Sequence, residues 1–354
     1  MLARLRLIHA LAGVAGVAVV AGVAVLAALI ASPGCQPVRR PAVGPNGEVT
    51  LVTDLPDSSP AVSAAKTVLG RAVVTTRPEP AFELERVPGA RFRSVRSWRN
   101  LVLVADLSAA DATTGLATRV IGRKLLPEYE AGSRFHGLYS DVWARGQTVL
   151  VLAGPSDTAL AAAIRAEGDR LYANFEQHAT RQILALLYLA GEQQSFGRYL
   201  ERTHGWSIRV PAGYRVGEDP AAHFVRFFMR EGGARLLFVH WQDGATTLPT
   251  AAECLATRAR LVAQFYDGDV IDSTRTHAEP AEFLGRRAVK LVGVWQNEKY
   301  TMGGPFRTYC FFDAGRVTMI DLAVFDPVNS KVALLRELEA VALTYRDCRR
   351  STRS

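Results

Sequence analysis

Asn100-Leu-Val-Leu-Val-Ala-Asp106 is an unbroken apolar run between polar residues, and Thr148-Val-Leu-Val-Leu-Ala153, stopped by Gly154-Pro155, is a second. Runs this short and this rich in Val and Leu predict strands buried on both faces, as where helices cover a sheet above and below. The flanking sequence agrees. Val49 to Thr53 reads as another apolar strand, Pro60 to Arg71 as a helix, and Phe82 to Val87 alternates as a strand. Ser156 supplies an N-cap directly after Gly154-Pro155. The helix it opens continues through Gln182-Ile-Leu-Ala-Leu-Leu-Tyr188 to about Tyr199. Strands alternating with helices predict an α/β layer structure for residues 49–203.

The pattern changes after residue 203. Gly205-Trp206-Ser207-Ile208-Arg209-Val210-Pro211 alternates and ends at proline, and strands follow at His223 to Met229 and Leu236 to Trp241. Thr250 with Glu253 makes a capping box before the apolar face Leu255, Val262 and Phe265, so a helix runs to about Tyr266. Ala288 to Trp295, Phe306 to Phe312 and Arg316 to Val324 read as strands, the last two joined by Asp313-Ala314-Gly315 as a hairpin. Lys331 to Tyr345 carries Leu334, Leu335, Leu338, Val341 and Ala342 at helical spacing. The fold class is α+β in two domains of α/β type. The second, 204–346, is an antiparallel sheet with helices on one face. A folded stretch of about 300 residues suits two cores better than one.

Arg4 and Arg6 precede a run without charge from Ala10 to Ala31, ended by Ser32-Pro33-Gly34-Cys35. Residues 1–34 read as an export signal or membrane anchor. The run exceeds the apolar core of a cleaved signal and matches the roughly 20 residues that cross a bilayer. Gly34 before Cys35 favours lipid attachment at Cys35, although Ser32 and Pro33 depart from the usual lipobox. An uncleaved anchor and plain secretion are the alternatives. In each, the arginines stay inside and the folded part lies outside the cytoplasm. Residues 35–48, rich in proline and glycine, read as a tether, and 347–354 as a basic tail.

The formal charge is +8, with 42 Lys+Arg against 34 Asp+Glu, and the arginines are spread along the chain. Such a balance suits anionic headgroups, yet its even spread fits a general composition bias better than a dedicated patch. Arg91-Phe92-Arg93-Ser94-Val95-Arg96-Ser97-Trp98-Arg99 interleaves aromatics with cations, but export argues against nucleic acid. Cys254, Cys310 and Cys348 remain beside Cys35 without a Cys-x-x-Cys, so neither a redox motif nor a cysteine zinc site is indicated. Cys254 with Cys348, both near expected helix ends, is the favoured disulfide, and Cys310 reads as a strand core position.

Glu79-Pro80-x-Phe82, Arg96-x-x-Arg99-Asn100 and Asp141-x-Trp143-Ala144-x-x-Gln147 stand in the first half. Met302-Gly303-Gly304-Pro305-Phe306, Asp326-Pro327 and Leu334-Leu335-Arg336-Glu337-Leu338-Glu339-Ala340 stand in the second. Together they resemble an uncharacterised family of bacterial envelope lipoproteins, domain of unknown function 4837, over nearly the whole of 48–345. The resemblance implies a lipoprotein and brings no activity.

Catalytic patterns are missing where chemistry would need them. Gly303-Gly304-Pro305 lacks the Gly-Lys-Ser/Thr of a phosphate loop, and Ser156 lies in Gly-Pro-Ser-Asp, where helix capping accounts for it. His136, His178, His204, His223, His240 and His277 show no ligand spacing, so neither metal nor cofactor is expected. Trp143, Gln147, Arg99, Gly303, Gly304 and Phe306 are the binding candidates, with Trp206 and Trp295 as further aromatic ones. The leading expectation is a non-catalytic, membrane-tethered periplasmic protein that binds an envelope protein or anionic lipid. A hydrolase with its site at the junction of the halves, near Trp143 and Gly303-Gly304, is one rival. A carrier of an apolar ligand, needing a cavity between sheet and helices, is another. Full-length protein from a Gram-negative host should have a mature mass beginning at Cys35 plus acyl chains, and Cys35→Ala should leave the membrane fraction; an unprocessed mass would identify a spanning anchor instead.

Overall fold

The computed structural model describes residues 39–349; the expected export segment, Cys35 and the last tail residues lie outside them. The two apolar runs pair as parallel neighbours, Leu101 opposite Val149 through Ala105 opposite Ala153. In chain order the first-half strands are β1 (Glu48–Val52), β2 (Ala72–Val74), β3 (Pro78–Pro80), β4 (Glu83–Val87), β5 (Asn100–Asp106), β6 (His136–Ser140) and β7 (Thr148–Gly154). A small ribbon pairs β2 with β3, and the others form a sheet ordered β4-β1-β5-β7-β6, parallel except for β6.

The helices of this half are α1 (Pro60–Leu69), α2 (Phe92–Val95), α3 (Ala112–Ile121), α4 (Leu126–Glu130), α5 (Asp157–Ala166) and α6 (Gly168–Leu187). Period-2 alternation sends Val102, Val104, Leu150 and Leu152 toward α1, α5 and α6. It sends Leu101, Leu103, Val149 and Val151 toward α2, α3 and α4. Both faces are covered, which is why neither run alternates. The continuous helix expected from Ser156 to Tyr199 is three helices, α5, α6 and α7 (Gln194–His204), broken at Glu167 and again around Gly191, whose φ is +113°. Helix α3 was not apparent in the sequence, because three Thr, a Val, an Ile and a Gly weaken its propensity; the Asp111 cap on Thr114 N and burial of Ala117 and Ile121 hold it.

In the second half a seven-stranded antiparallel sheet follows the order β12-β13-β14-β15-β11-β10-β9. Its strands are β9 (Arg215–Asp219), β10 (Phe224–Met229), β11 (Ala234–Asp243), β12 (Val270–Phe283), β13 (Arg286–Asn297), β14 (Met302–Asp313) and β15 (Arg316–Phe325). The expected strand 205–211 is a two-residue β8 (Trp206–Ser207) paired with β16 (Arg346–Asp347). Strand β12 escapes a hydrophobicity reading because it is a polar, proline-containing edge. The capping box of Thr250 and Glu253 opens α8 (Ala251–Phe265), and α9 (Lys331–Ala342) closes the domain.

Helices lie on both faces of this sheet rather than on one. Val225, Phe227, Val239, Phe311 and Ile320 face α9 with Trp206. Phe224, Phe238, Cys310 and Met319, one residue out of phase, face α8. Both expected ends are also corrected. Ala42 and Val43 are hydrogen-bonded to Arg145 and Ser97 backbone, so 41–47 is docked and not tether. Cys348 N donates to Gly205 O, fixing the start of the basic tail.

The described residues from Pro41 onward form one compact unit, and α9 joins the two sheets. Its apolar side, Leu335, Leu338, Val341 and Ala342, packs on the antiparallel sheet. Of its charged residues, Lys331 and Arg336 are buried against the first half. The Lys331 ammonium lies 2.9 Å from Glu79, and the Lys331 backbone N–H donates to the same carboxylate at 2.7 Å. Arg336, 1% exposed, donates to Ala81 O and Asn46 O and covers the Phe82 ring at 3.9 Å. Glu337 binds Asn46 and Arg235, while Glu339 takes Arg307 and the Tyr309 hydroxyl, each at 2.7 Å or less.

Burial pushes the Glu79 carboxyl upward, but its bonds from Lys331 and Thr75 outweigh this and leave it below its ordinary value. The stability it contributes is present above the unfolded carboxyl pKa and is lost as pH falls through the folded one. Lys331→Met should destabilise the protein by about 3 kcal/mol at neutral pH, since it strands a buried carboxylate. Denaturant melts should show that gap narrowing in acid as Glu79 protonates; a gap that widens in acid would contradict this account.

Candidate functional site

The Asp141 to Gln147 motif is a structural staple. Gln147, fully buried, donates through Nε2 to Arg96 O at 2.8 Å and Trp98 O at 2.7 Å, and its Oε1 accepts Trp143 N–H at 3.0 Å. Asp141 accepts from Gly146 and Gln147 N–H, and the Trp143 ring packs edge-on against Phe92. Arg99 bonds Asn46 and lines a polar cavity at the junction of the halves, of about 460 Å³, without Trp143 or Gln147. Two carboxylates of that cavity are already engaged, Glu337 by Asn46 and Arg235, and Asp326 by the Val328 and Asn329 backbone. Trp206 is wholly buried core.

The Met302 to Phe306 motif belongs to β14 in the other sheet, so the residues expected to share one junction site fall into separate clusters. Phe306 is buried beneath the Arg258 guanidinium at 3.4 Å, which is itself paired with Asp321. Gly304 has no room for a side chain, since a Cβ there would lie 1.7 Å from Val324 O. That carbonyl accepts the Trp295 indole N–H at 3.3 Å. The glycine thus permits the strand approach that fixes Trp295, and a Cβ on Gly303 would meet Trp295 O at 2.9 Å.

Trp295 and Met302 border a cavity of about 690 Å³. It arises where α8 ends. Phe265 stacks on Phe224 at 4.0 Å, and beyond it the Tyr266 ring packs on Phe224 and Phe238. Leu236, Phe228, Trp295, Met302 and Phe325 make an apolar wall, and Arg230, Asp269, Asn297 and Asn329 supply polar groups. Asp326-Pro327 completes one side, with the Asp326 carboxylate holding Val328 and Asn329 N–H and so setting the loop. Burial raises the Asp269 carboxyl above its ordinary value although Asn297 donates to it at 2.7 Å. Tyr266, on the wall, has a buried hydroxyl with no hydrogen-bond partner among the described residues.

Of the sequence candidates, Trp295 lines this cavity, and Gly303 and Gly304 shape it from behind. Tyr266, Asn297, Tyr300 and Phe325 were not apparent. They come from helix and strand ends, where local periodicity stops. Among the described residues no group of three or more His, Cys, Asp or Glu is arranged to hold a metal ion, and no helix is long and apolar enough to cross a membrane.

Residues 193–344 match the family model described as Domain of unknown function (DUF4837), and residues 42–187 match a second, Domain of unknown function (DUF8532). The resemblance read from the sequence therefore holds for the second half, and the first half has a model of its own. No curated protein sequence matches the chain. Among solved structures, cyanobacterial PsbP (CyanoP) from Synechocystis sp. PCC 6803 is 14% identical, with 40% of this chain and 86% of that one covered at a TM-score of 0.30. LpqN, involved in cell envelope biogenesis of Mycobacterium tuberculosis, is 12% identical over 40% and 81%, with a TM-score of 0.25. A structure from Bacteroides thetaiotaomicron VPI-5482 is 12% identical over 40% of this chain at a TM-score of 0.24, and only 45% of that longer match is spanned. Likenesses of this size establish no relationship.

Gly304→Ala should cost about 3 kcal/mol, the upper part of the overpacking range, because backbone rather than a movable side chain blocks the methyl. Chemical denaturation with near-ultraviolet dichroism should show lower stability and a weakened tryptophan signal; an unchanged midpoint would exclude the close approach.

Proposed function

We propose that this chain is a membrane-tethered protein of the bacterial cell envelope whose second half binds a small, largely apolar ligand without transforming it. The export segment, Arg4 and Arg6, and Cys35 support the location, with the body on the periplasmic side held by a lipid on Cys35 or by the apolar segment itself. One observation carries the binding role. The 690 Å³ cavity between the antiparallel sheet, the end of α8 and the 326–329 loop has an apolar wall and a few polar groups, the make-up of a small-molecule site. Its lining includes neither Ser, Thr, Cys, His nor Lys, which favours binding over group transfer.

This reading joins the carrier to the binding module; at the junction cavity Glu337 and Asp326 are engaged in holding α9 and its preceding loop, and the Trp143, Gly303 and Gly304 expected beside a hydrolase site do not line it. An envelope component with an apolar body fits both the cavity and the location. Detergent-free native mass spectrometry of the full-length protein should show a co-purifying small molecule that is absent from Ala234→Trp, a substitution that fills the cavity. An environment-sensitive apolar dye should bind the wild type at least tenfold tighter than the variant. Equal dye binding with no co-purifying mass would sink the proposal, as would turnover of an envelope substrate.

A further inference from the structure

The described cysteines are free thiols, and the expected Cys254–Cys348 pair is not formed. Cys348 lies beside β16 with its sulfur 3.6 Å from the Ser207 hydroxyl, whereas Cys254 belongs to the buried cluster beneath α8. Sequence spacing could not show that Cys310, read as a strand core position, lies with Cys254 in the cluster beneath α8. Cys254 is in the first full turn of α8, Cys310 is central in β14, and both belong to the same buried cluster beneath that helix. Both line a cavity of about 350 Å³ shared with His240, Glu253 and Met319, which gives a route to otherwise buried sulfurs.

We propose that Cys254 and Cys310 are a disulfide site, closed after export by exchange with a disulfide-bearing oxidase or a small disulfide. This inference stands apart from the ligand cavity. The hydrogen bond from the Cys310 S–H holds the Cys254 thiol below its ordinary range, while the same bond and burial hold Cys310 above it. Cys254 thiolate is thus the first nucleophile. It attacks the donor's S–S bond, forming a mixed disulfide and releasing one donor sulfur as thiolate. Cys310 gives its proton to that leaving thiolate and attacks the Cys254 sulfur, releasing the second donor sulfur as a thiolate that takes up, through water, the proton Cys254 gave up at the outset. One protein S–S bond forms, two thiols are oxidised and the donor disulfide is reduced to two thiols. The product pins the start of α8 to the middle of β14 and closes a loop that contains β12 and β13.

The test uses the full chain exported in a Gram-negative host, quenched in acid, unfolded in alkylating reagent without reductant, and digested with trypsin. Expected is a cross-linked species joining peptide 236–258, which holds Cys254, to peptide 308–316, which holds Cys310, and vanishing on reduction. The link should survive in Cys348→Ser. Reductant should lower the melting temperature of the wild type and leave that of Cys254→Ser unchanged. Both peptides singly alkylated, after the folded protein has also been equilibrated with oxidised glutathione, would overturn the assignment. A link from Cys254 to Cys348 would overturn it too.

Discussion

The second half of this chain is joined to the first by a helix with two buried sides. An amphipathic helix normally offers water its polar face. In α9 that face meets the first half instead, where Lys331 finds Glu79, Arg336 finds Ala81 and Glu337 finds Asn46, while Glu339 is held by Arg307 and Tyr309 of its own sheet. Burying the Lys331 and Arg336 cations is costly unless each is partnered, so their contacts with the first half favour one arrangement of the two sheets over others. Arg336 shows the demand most clearly, since its guanidinium touches Asn46, Ala81 and Phe82 of the first half from a position wholly out of water.

The cavity follows from the covering of the other face. Helix α8 packs mainly on β12 and β13, and at its end Phe265 stacks on Phe224 while Tyr266 rests on Phe224 and Phe238. Past that point the apolar ends of β10, β11 and β15 lack a helix above them, and short loops border the space. The Met302 to Phe306 segment serves this arrangement twice. Its glycines let β14 approach Trp295 and Val324 closely, and Met302 reaches the cavity wall. The Asp141 to Gln147 segment has a different task, the closing of a turn against the strand that begins at Asn100.

Much of the fold was legible because its signals are local. Strands β5 and β7 announce themselves by unbroken apolar runs, the capping box marks the start of α8, and the alternation of β10, β11 and β15 gives the antiparallel sheet. Where burial and local preference disagree, legibility fails. Strand β12 is polar because it is an edge, α3 has weak propensity, and β8 is short because Ile208 and Val210 are buried without pairing in a long ladder. At the candidate site only Trp295 and the two glycines carried a signal, since the other walls are single residues at element ends.

The sequence by itself determined the composition of the layers, the apolar N-terminal run ending at Cys35, and the lack of catalytic spacing, all readable within a few residues of chain. The tertiary structure decided which face of α9 meets which sheet, where α8 stops short, and that Cys254 faces Cys310 rather than Cys348. Periodicity records which residues avoid water, not what they avoid it against. Partners tens to hundreds of positions apart are chosen only when the layers close and each buried charge and thiol must find a neighbour.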